Sequence, residues 1–112
     1  MITTATELAD TDKHLISAAH EDFHAGIVGI VAGRLTEKHY KPSVVLELNP
    51  EKGTATGSLR GPEYFNIVKM LQDAEDLLMR FGGHEQAGGL TVDIENLDDL
   101  LDRFDTYCAA NI

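Results

Sequence analysis

The stretch Ile27-Val28-Gly29-Ile30-Val31-Ala32-Gly33-Arg34-Leu35-Thr36-Glu37-Lys38-His39-Tyr40, followed by Lys41-Pro42 and then Ser43-Val44-Val45-Leu46-Glu47-Leu48, decides the fold. Ile27, Ile30, Val31, Arg34 and Leu35 recur at helical spacing, so the apolar members form one buried stripe of a helix over 27–40. Gly29, Ala32 and Gly33 keep part of that helix thin. A glycine inside a helix costs about 1 kcal/mol relative to alanine, so their presence implies close packing against a sheet. Pro42 stops the helix, and Ser43–Leu48 reads as a strand.

Working outward, His14–His20, with Leu15, Ile16 and two alanines, reads as a short strand, and Glu21–Gly26 as a loop. Asn49-Pro50-Glu51-Lys52-Gly53 is a turn, after which Thr54–Leu59 forms a second strand pairing back onto the first. Phe65, Val68, Leu71 and Leu78 predict a helix over 65–78. Gly82–Gly89 holds four glycines and requires an unusual backbone segment. Leu90–Ile94 alternates as a strand, and Asn96 or Asp98 caps a final helix reaching about Ala110. Strands alternating with helices give the expected class: α/β, a single small domain with a mixed β-sheet covered by helices. Residues 1–12 are polar and expected to fray, which leaves 13–112 as the domain.

The chain has 112 residues, enough for one core, with 43% apolar and 25% charged residues. No apolar run approaches the roughly 18 residues that span a bilayer, and the N-terminus lacks a basic region followed by an apolar run. Both point to a cytoplasmic protein with no membrane partner. The single cysteine, Cys108, excludes an internal disulfide and a CxxC metal clip; it reads as a packing residue. A net charge of −10 argues against a surface that grips nucleic acid all over. The charge is uneven, with seven acids in 1–50 and twelve in 51–112. Many of the latter fall in Asp93–Asp105 and read as a solvated helix face. Screening limits exposed charges to about 8–10 Å, so a local phosphate site can coexist with acidic flanks.

Three motifs carry possible chemistry. His20-Glu21-Asp22-Phe23-His24 fits HExxH, which on a helix would present two histidines to one zinc. Gly26 follows closely and the preceding residues read as a strand, so a polar loop is the better reading and no metal site is expected. Phe81-Gly82-Gly83-His84-Glu85-Gln86-Ala87-Gly88-Gly89 pairs glycines with a histidine. Without a Cβ, backbone N–H groups can approach a phosphate closely, and a neutral imidazole still has one donor. On spacing alone, a glycine-rich turn holding a satisfied histidine is the better reading. Gly57-Ser58-Leu59-Arg60-Gly61 sets Arg60 at a strand end between small residues. Its planar fork suits phosphate, or equally a surface ion pair.

Taken together, these segments resemble a known family. Phe23-His24-Ala25-Gly26-Ile27-Val28-Gly29-Ile30-Val31-Ala32-Gly33-Arg34-Leu35, running on to Tyr40-Lys41-Pro42, resembles the RecJ-type exonuclease segment WHxGVxGIVASRL…Y.RP. Gly57–Arg60 resembles its GSxRS, and Phe81–Gly89 its FGGHxxAAG, in the family's order and over roughly residues 14–105. The family pairs a DHH domain, which binds manganese or magnesium, with a DHH-associated domain that holds the substrate. This chain resembles the second part only.

The resemblance therefore implies a substrate-binding domain of a 5′–3′ single-stranded-DNA exonuclease. Its partners are single-stranded DNA and a DHH catalytic domain, in cis or in trans. It binds no cofactor itself and does not cleave alone, because hydrolysis needs the metal ions of the other domain. His84 would touch the scissile phosphate and stabilise transition-state charge, Gly82 and Gly83 would shape its turn, and Arg60 with Ser58 would bind a neighbouring phosphate. Arg34 and His24 are further candidates for contact with the strand. The sequence departs from the family pattern at Phe23 for tryptophan, at Gly33 and Gly61 for serine, and at Gly88 for alanine. Alternative readings are a related oligonucleotide or cyclic-dinucleotide phosphodiesterase, and a non-enzymatic interaction module.

Overall fold

The apolar run after Pro42 becomes the strand around which the computed structural model is organised; residues 14–21 and 25–111 are described. Strand β2 (Ser43–Asn49) has Val44, Val45 and Leu46 all fully buried, so both of its faces are covered. Strand β1 (Ile16–His20) pairs parallel to it, with Ile16 opposite Ser43. The crossover between them is helix α1 (Ala25–His39). Strand β3 (Thr54–Arg60) returns antiparallel to β2 through the expected turn, with Ser43 opposite Arg60. A short helix α2 (Ile67–Asp73) follows, capped by the Asn66 side chain accepting from the Lys69 N–H. Strands β4 (Leu78–Gly83) and β5 (Ala87–Asp93) form a hairpin, and helix α3 (Leu97–Asn111) ends the described chain. The five-stranded mixed sheet has the order β1-β2-β3-β5-β4.

The two sheet faces are covered differently. On one face lies a large core in which Val44, Leu46, Ala55, Leu59, Leu90 and Val92 from the strands meet Ile67, Met70 and Leu71 of α2 and Leu100, Phe104 and Cys108 of α3. Burial, reinforced by the charge of Asp105, pushes the Cys108 thiol up to about 12, as suits a packing residue. On the other face, Val28, Val31, Ala32 and Leu35 of α1 pack on Ile16, Ala18 and Val45. That second layer lies on β2 and β3.

Several expectations need correction. The buried stripe of α1 runs through Val28, Val31, Ala32 and Leu35, and Ile30 is 57% exposed. The helix expected to reach Leu78 stops at Asp73, where the Ala74 N–H bonds back to Leu71 and Gln72 carbonyls. A 3-10 turn, Glu75–Leu77, then leads into β4. Gly82 and Gly83 are the last two residues of that strand, and Gly88 and Gly89 belong to β5. The glycine-rich segment is thus a hairpin with only a short turn between its strands. Gly83 has φ +151, and a Cβ there would fall 2.5 Å from the Ala87 carbonyl oxygen, so no other residue fits. His20 ends a strand, as the sequence reading expected, so no helix runs through it. Phe23, His24 and residues 1–12 lie outside the described residues.

Candidate nucleic-acid interface

Cβ directions alternate along a strand, and residues paired across strands share a face. Ser58 lies opposite Val45, and Arg60 opposite Ser43, so both point to the face covered by α1. Ala87, Gly89 and Thr91 of β5 lie opposite Arg60, Ser58 and Thr56, and Arg80 and Gly82 of β4 lie opposite Thr91 and Gly89. All these residues therefore belong to one sheet face, on which α1 shelters β3 and leaves a strip over β5 and β4.

Arg60 is held where this strip meets the helix. A Cβ built on Gly29 would come within 2.8 Å of Arg60 Nη2 and 3.5 Å of Ser58 Oγ. The guanidinium therefore nests against bare helix backbone, which explains the glycine at that position. Arg60 Nη1 donates to the Leu59 carbonyl at 2.8 Å, leaving the rest of its five-donor fork available. The expectation of an open guanidinium is thus modified, because Arg60 is half-buried and pre-positioned. Beside it, Ser43 Oγ donates to the Ala32 carbonyl at 2.7 Å, and Thr36 Oγ1 lies 2.7 Å from Ser43 Oγ and 3.2 Å from the Arg60 carbonyl. These buried hydroxyls fix α1 to the ends of β2 and β3.

His84 occupies the β4–β5 turn, where its N–H donates to the Ala87 carbonyl at 2.8 Å and its side chain is exposed. The same turn is bonded at two further points. The Gly61 N–H donates to the Gln86 carbonyl at 3.0 Å, and the Ile67 N–H to the Glu85 carbonyl at 2.8 Å. The segment 61–67 is thereby stitched to the β4–β5 turn at one edge of the domain. Between them lies a shallow recess of about 320 Å³, lined by Gly33, Thr36, Glu37, Arg60, Gly61, His84, Gln86 and Ala87. The structure thus brings Arg60 and His84 to one recess and sets Ser58 beside Arg60. Gly82 and Gly83 form the strand leading into it. Arg34 is exposed on α1, next to the recess residue Gly33, and pairs with no described residue.

Sequence reasoning missed two features of this edge. Tyr40, at φ +53, ends α1 and donates its hydroxyl to Glu63 at 3.0 Å. That bond is the main cause raising the Tyr40 phenol above its ordinary range. Tyr64 donates to the Tyr40 carbonyl at 2.8 Å, and the two rings sit 5.2 Å apart. The available signal was a tyrosine two residues before Pro42 and another two residues after Pro62. The second feature is the side of the sheet on which the uneven charge falls. Segments 66–77 and 94–111, the α2–α3 layer, carry eight acids and two bases, whereas the other described residues carry seven acids and six bases. The sheet separates most of the negative charge from the Arg60 face. Among the described residues no group of three His, Cys, Asp or Glu side chains is arranged to hold a metal ion, and no helix is long and apolar enough to cross a membrane.

Comparison with known proteins adds four likenesses. The model of the DHHA1 domain family matches residues 11–110. The single-stranded-DNA-specific exonuclease RecJ of Bacillus subtilis is 40% identical over 92 residues, covering 82% of this chain and 12% of that protein. The crystal structure of RecJ in complex with Mg2+ from Thermus thermophilus superposes with a TM-score of 0.85 at 30% identity, over 98% of this chain and 17% of that one. The chain thus spans only about an eighth of the length of the curated relative it matches. A pGpG-specific phosphodiesterase of Vibrio shares the fold, with a TM-score of 0.69 at 16% identity.

Proposed function

The chain belongs to the DHHA1 domain family, and from that premise we propose that it is the substrate-holding domain of a RecJ-like single-stranded-DNA exonuclease. The observation that carries the reading is the recess that Arg60 and His84 both line, although 24 positions separate them in the chain. Both residues were singled out from family motifs, and both line the same cavity.

Each has a role that its surroundings support. Arg60 offers a planar, pre-positioned fork, so less side-chain entropy is lost when a phosphate binds. His84 sits in a turn tied down by three backbone hydrogen bonds. Its imidazole can donate to a non-bridging phosphate oxygen, and preorganised donors aimed at developing charge are the larger part of such catalysis. Ser58 would support the neighbouring phosphate, and Arg34 would reach the strand from the helix. Gly82 and Gly83 let the strand backbone approach. The DHH domain, in cis or in trans, would supply manganese or magnesium, which activates water and stabilises the leaving oxygen. This chain's own residues would hold the strand in 5′–3′ passage and orient the scissile bond.

The test is a titration of fluorescent single-stranded DNA at low salt with the wild-type chain and with the Arg60→Ala, His84→Ala double variant. Wild-type binding that is weak and falls with added salt, and that drops at least roughly tenfold in the variant, is the expected result. Equal affinity of the two proteins would overturn the assigned roles.

A further inference from the structure

We propose that the uncovered sheet strip beyond Arg60 holds a second phosphate of the same strand, with Arg80 as its main contact and the Thr56 and Thr91 hydroxyls beside it. The inference rests on the reading above and extends it from one recess to a track.

The cavity is present in the structure. A shallow groove of about 440 Å³ is lined by Thr56, Gly57, Arg80, Phe81, Gly82, Gly89, Leu90 and Thr91. Arg80, Gly82, Gly89, Thr91 and Thr56 are the members on the Arg60 face, by strand register. The Thr56 and Thr91 hydroxyls lie 3.3 Å apart and are open to solvent. Either can turn its proton outward to a phosphate oxygen while accepting from the other. Arg80 is exposed and has no ion pair or hydrogen bond with a described residue, so its guanidinium is not already committed.

The groove and the first recess follow one another along the same face of β5. Ala87 borders the recess and Thr91 the groove, with Gly89 between them on the same face. Four residues of strand span about 13 Å, longer than one step between neighbouring phosphates. Between the two ends the floor is Ala87 and Gly89, both small, with Gly29 of α1 against Arg60 and Gly33 at the rim of the recess.

Charge favours an anionic occupant. Gly29 lies over Ser58 while Thr36 bonds the Arg60 carbonyl, so the N-terminal turn of α1 lies toward the Thr56 end. That turn holds no acid, and a helix N-terminus carries partial positive charge. Among the described residues, three carboxylates belong to this face. Glu37 lines the first recess. Glu47 sits on β2, three strands or about 14 Å from Arg80. Asp93 lies two residues past Thr91 and makes no ion pair with Arg80. The eight acids of the α2–α3 layer sit behind the sheet.

The test uses isotope-labelled wild-type chain titrated with oligothymidylates from a dinucleotide to an octanucleotide, followed by amide resonances. The dinucleotide should shift Gly61 and His84 only. Longer strands should also shift Arg80, Gly82 and Thr91. Arg80→Ala should weaken octanucleotide binding roughly fivefold, leave the dinucleotide unchanged, and reduce the logarithmic salt slope by about 0.7. An octanucleotide of abasic residues should behave like the thymidylate, because the contacts are to the backbone. Shifts confined to Gly61 and His84, or an Arg80→Ala variant with wild-type slope and affinity, would sink the extension and leave the proposed function standing. No shift at either place up to millimolar strand would sink both.

Discussion

The two faces of the sheet are built to opposite rules. Behind it, α2 and α3 cover the strands with large apolar side chains, and their outer surface is dense with carboxylates. In front, α1 packs Val28, Val31, Ala32 and Leu35 on β1 and β2, meets β3 at Gly29, buries hydroxyls and half-buries an arginine, and leaves β5 and β4 bare. The first face holds the domain together, and the second gives up apolar contact for accessible donors. The difference explains how a chain of net charge −10 can be read as a nucleic-acid binder. Screening by about 8–10 Å of salt solution and the thickness of the sheet keep the acids from cancelling the donors in front.

The strongest way to break the comparison is to damage the rear face and look for an effect in front. Phe104 is fully buried on α3. Phe104→Ala should cost about 3–5 kcal/mol of stability, measured by urea unfolding. In stabilising conditions its affinity for single-stranded DNA, per folded molecule, should match wild type. A large loss of affinity there would mean that the faces are coupled.

The reverse experiment changes the front without harming the rear. In Gly29→Ala the new methyl group would meet the tip of Arg60 at 2.8 Å. The guanidinium is flexible enough to move aside, so the fold should survive. The helix should gain up to about 1 kcal/mol from the lost glycine. DNA affinity should fall several-fold because Arg60 is displaced. A variant that is both more stable and an undiminished binder would show that Arg60 does not act from the position seen.

These contrasts also show what the sequence could reveal. Helix α1 and strands β2 and β3 were legible because Pro42 and the Asn49–Gly53 turn mark their ends and the Val-rich run leaves one reading. Strand β4 was not. It is an edge strand with Met79 and Arg80 exposed, a register shift between Leu78 and Arg80, and two glycines. Its identity comes from pairing with β5, which no local propensity encodes. The same applies to the site. Arg60 and His84 each admitted a plain alternative from spacing alone, and only the likeness to a family joined them. The groove at Arg80 had no motif, since it arises from strand register. Asp105 was read as part of a solvated face, yet it accepts the Leu15 N–H at 3.0 Å and anchors the start of β1.

A subtler change sharpens the front face. Nothing lies within 4 Å of a Cβ built on Gly33, at the rim of the recess. Gly33→Ser restores the family residue without a clash. It should stabilise the helix by about 0.5 kcal/mol, seen as a small rise in melting temperature. Its hydroxyl adds a donor near Arg60, so DNA affinity should stay level or rise slightly. A fall in affinity would argue that the strand backbone itself presses against residue 33.

The smallest effect belongs to the acid face. Arg103 grips Asp76 with bonds of 2.9 and 3.1 Å and reaches the Asp73 carbonyl at 3.0 Å, joining α3 to the end of α2. The bond from Arg103 holds the Asp76 carboxyl below its ordinary range. A carboxylate so lowered in the folded state stabilises the fold above its unfolded-state value, and that contribution fades as pH falls through the lowered folded-state value. Wild type should therefore melt slightly above Asp76→Asn at pH 7. The gap should close only below the ordinary carboxylate range. Both side chains are solvent-exposed, and exposed pairs contribute little, so the shift should be near the limit of thermal measurement. DNA binding should not distinguish the two proteins at pH 7. If Asp76→Asn bound the strand more tightly, the rear carboxylates would be felt through the sheet, and the separation of the two faces would be incomplete.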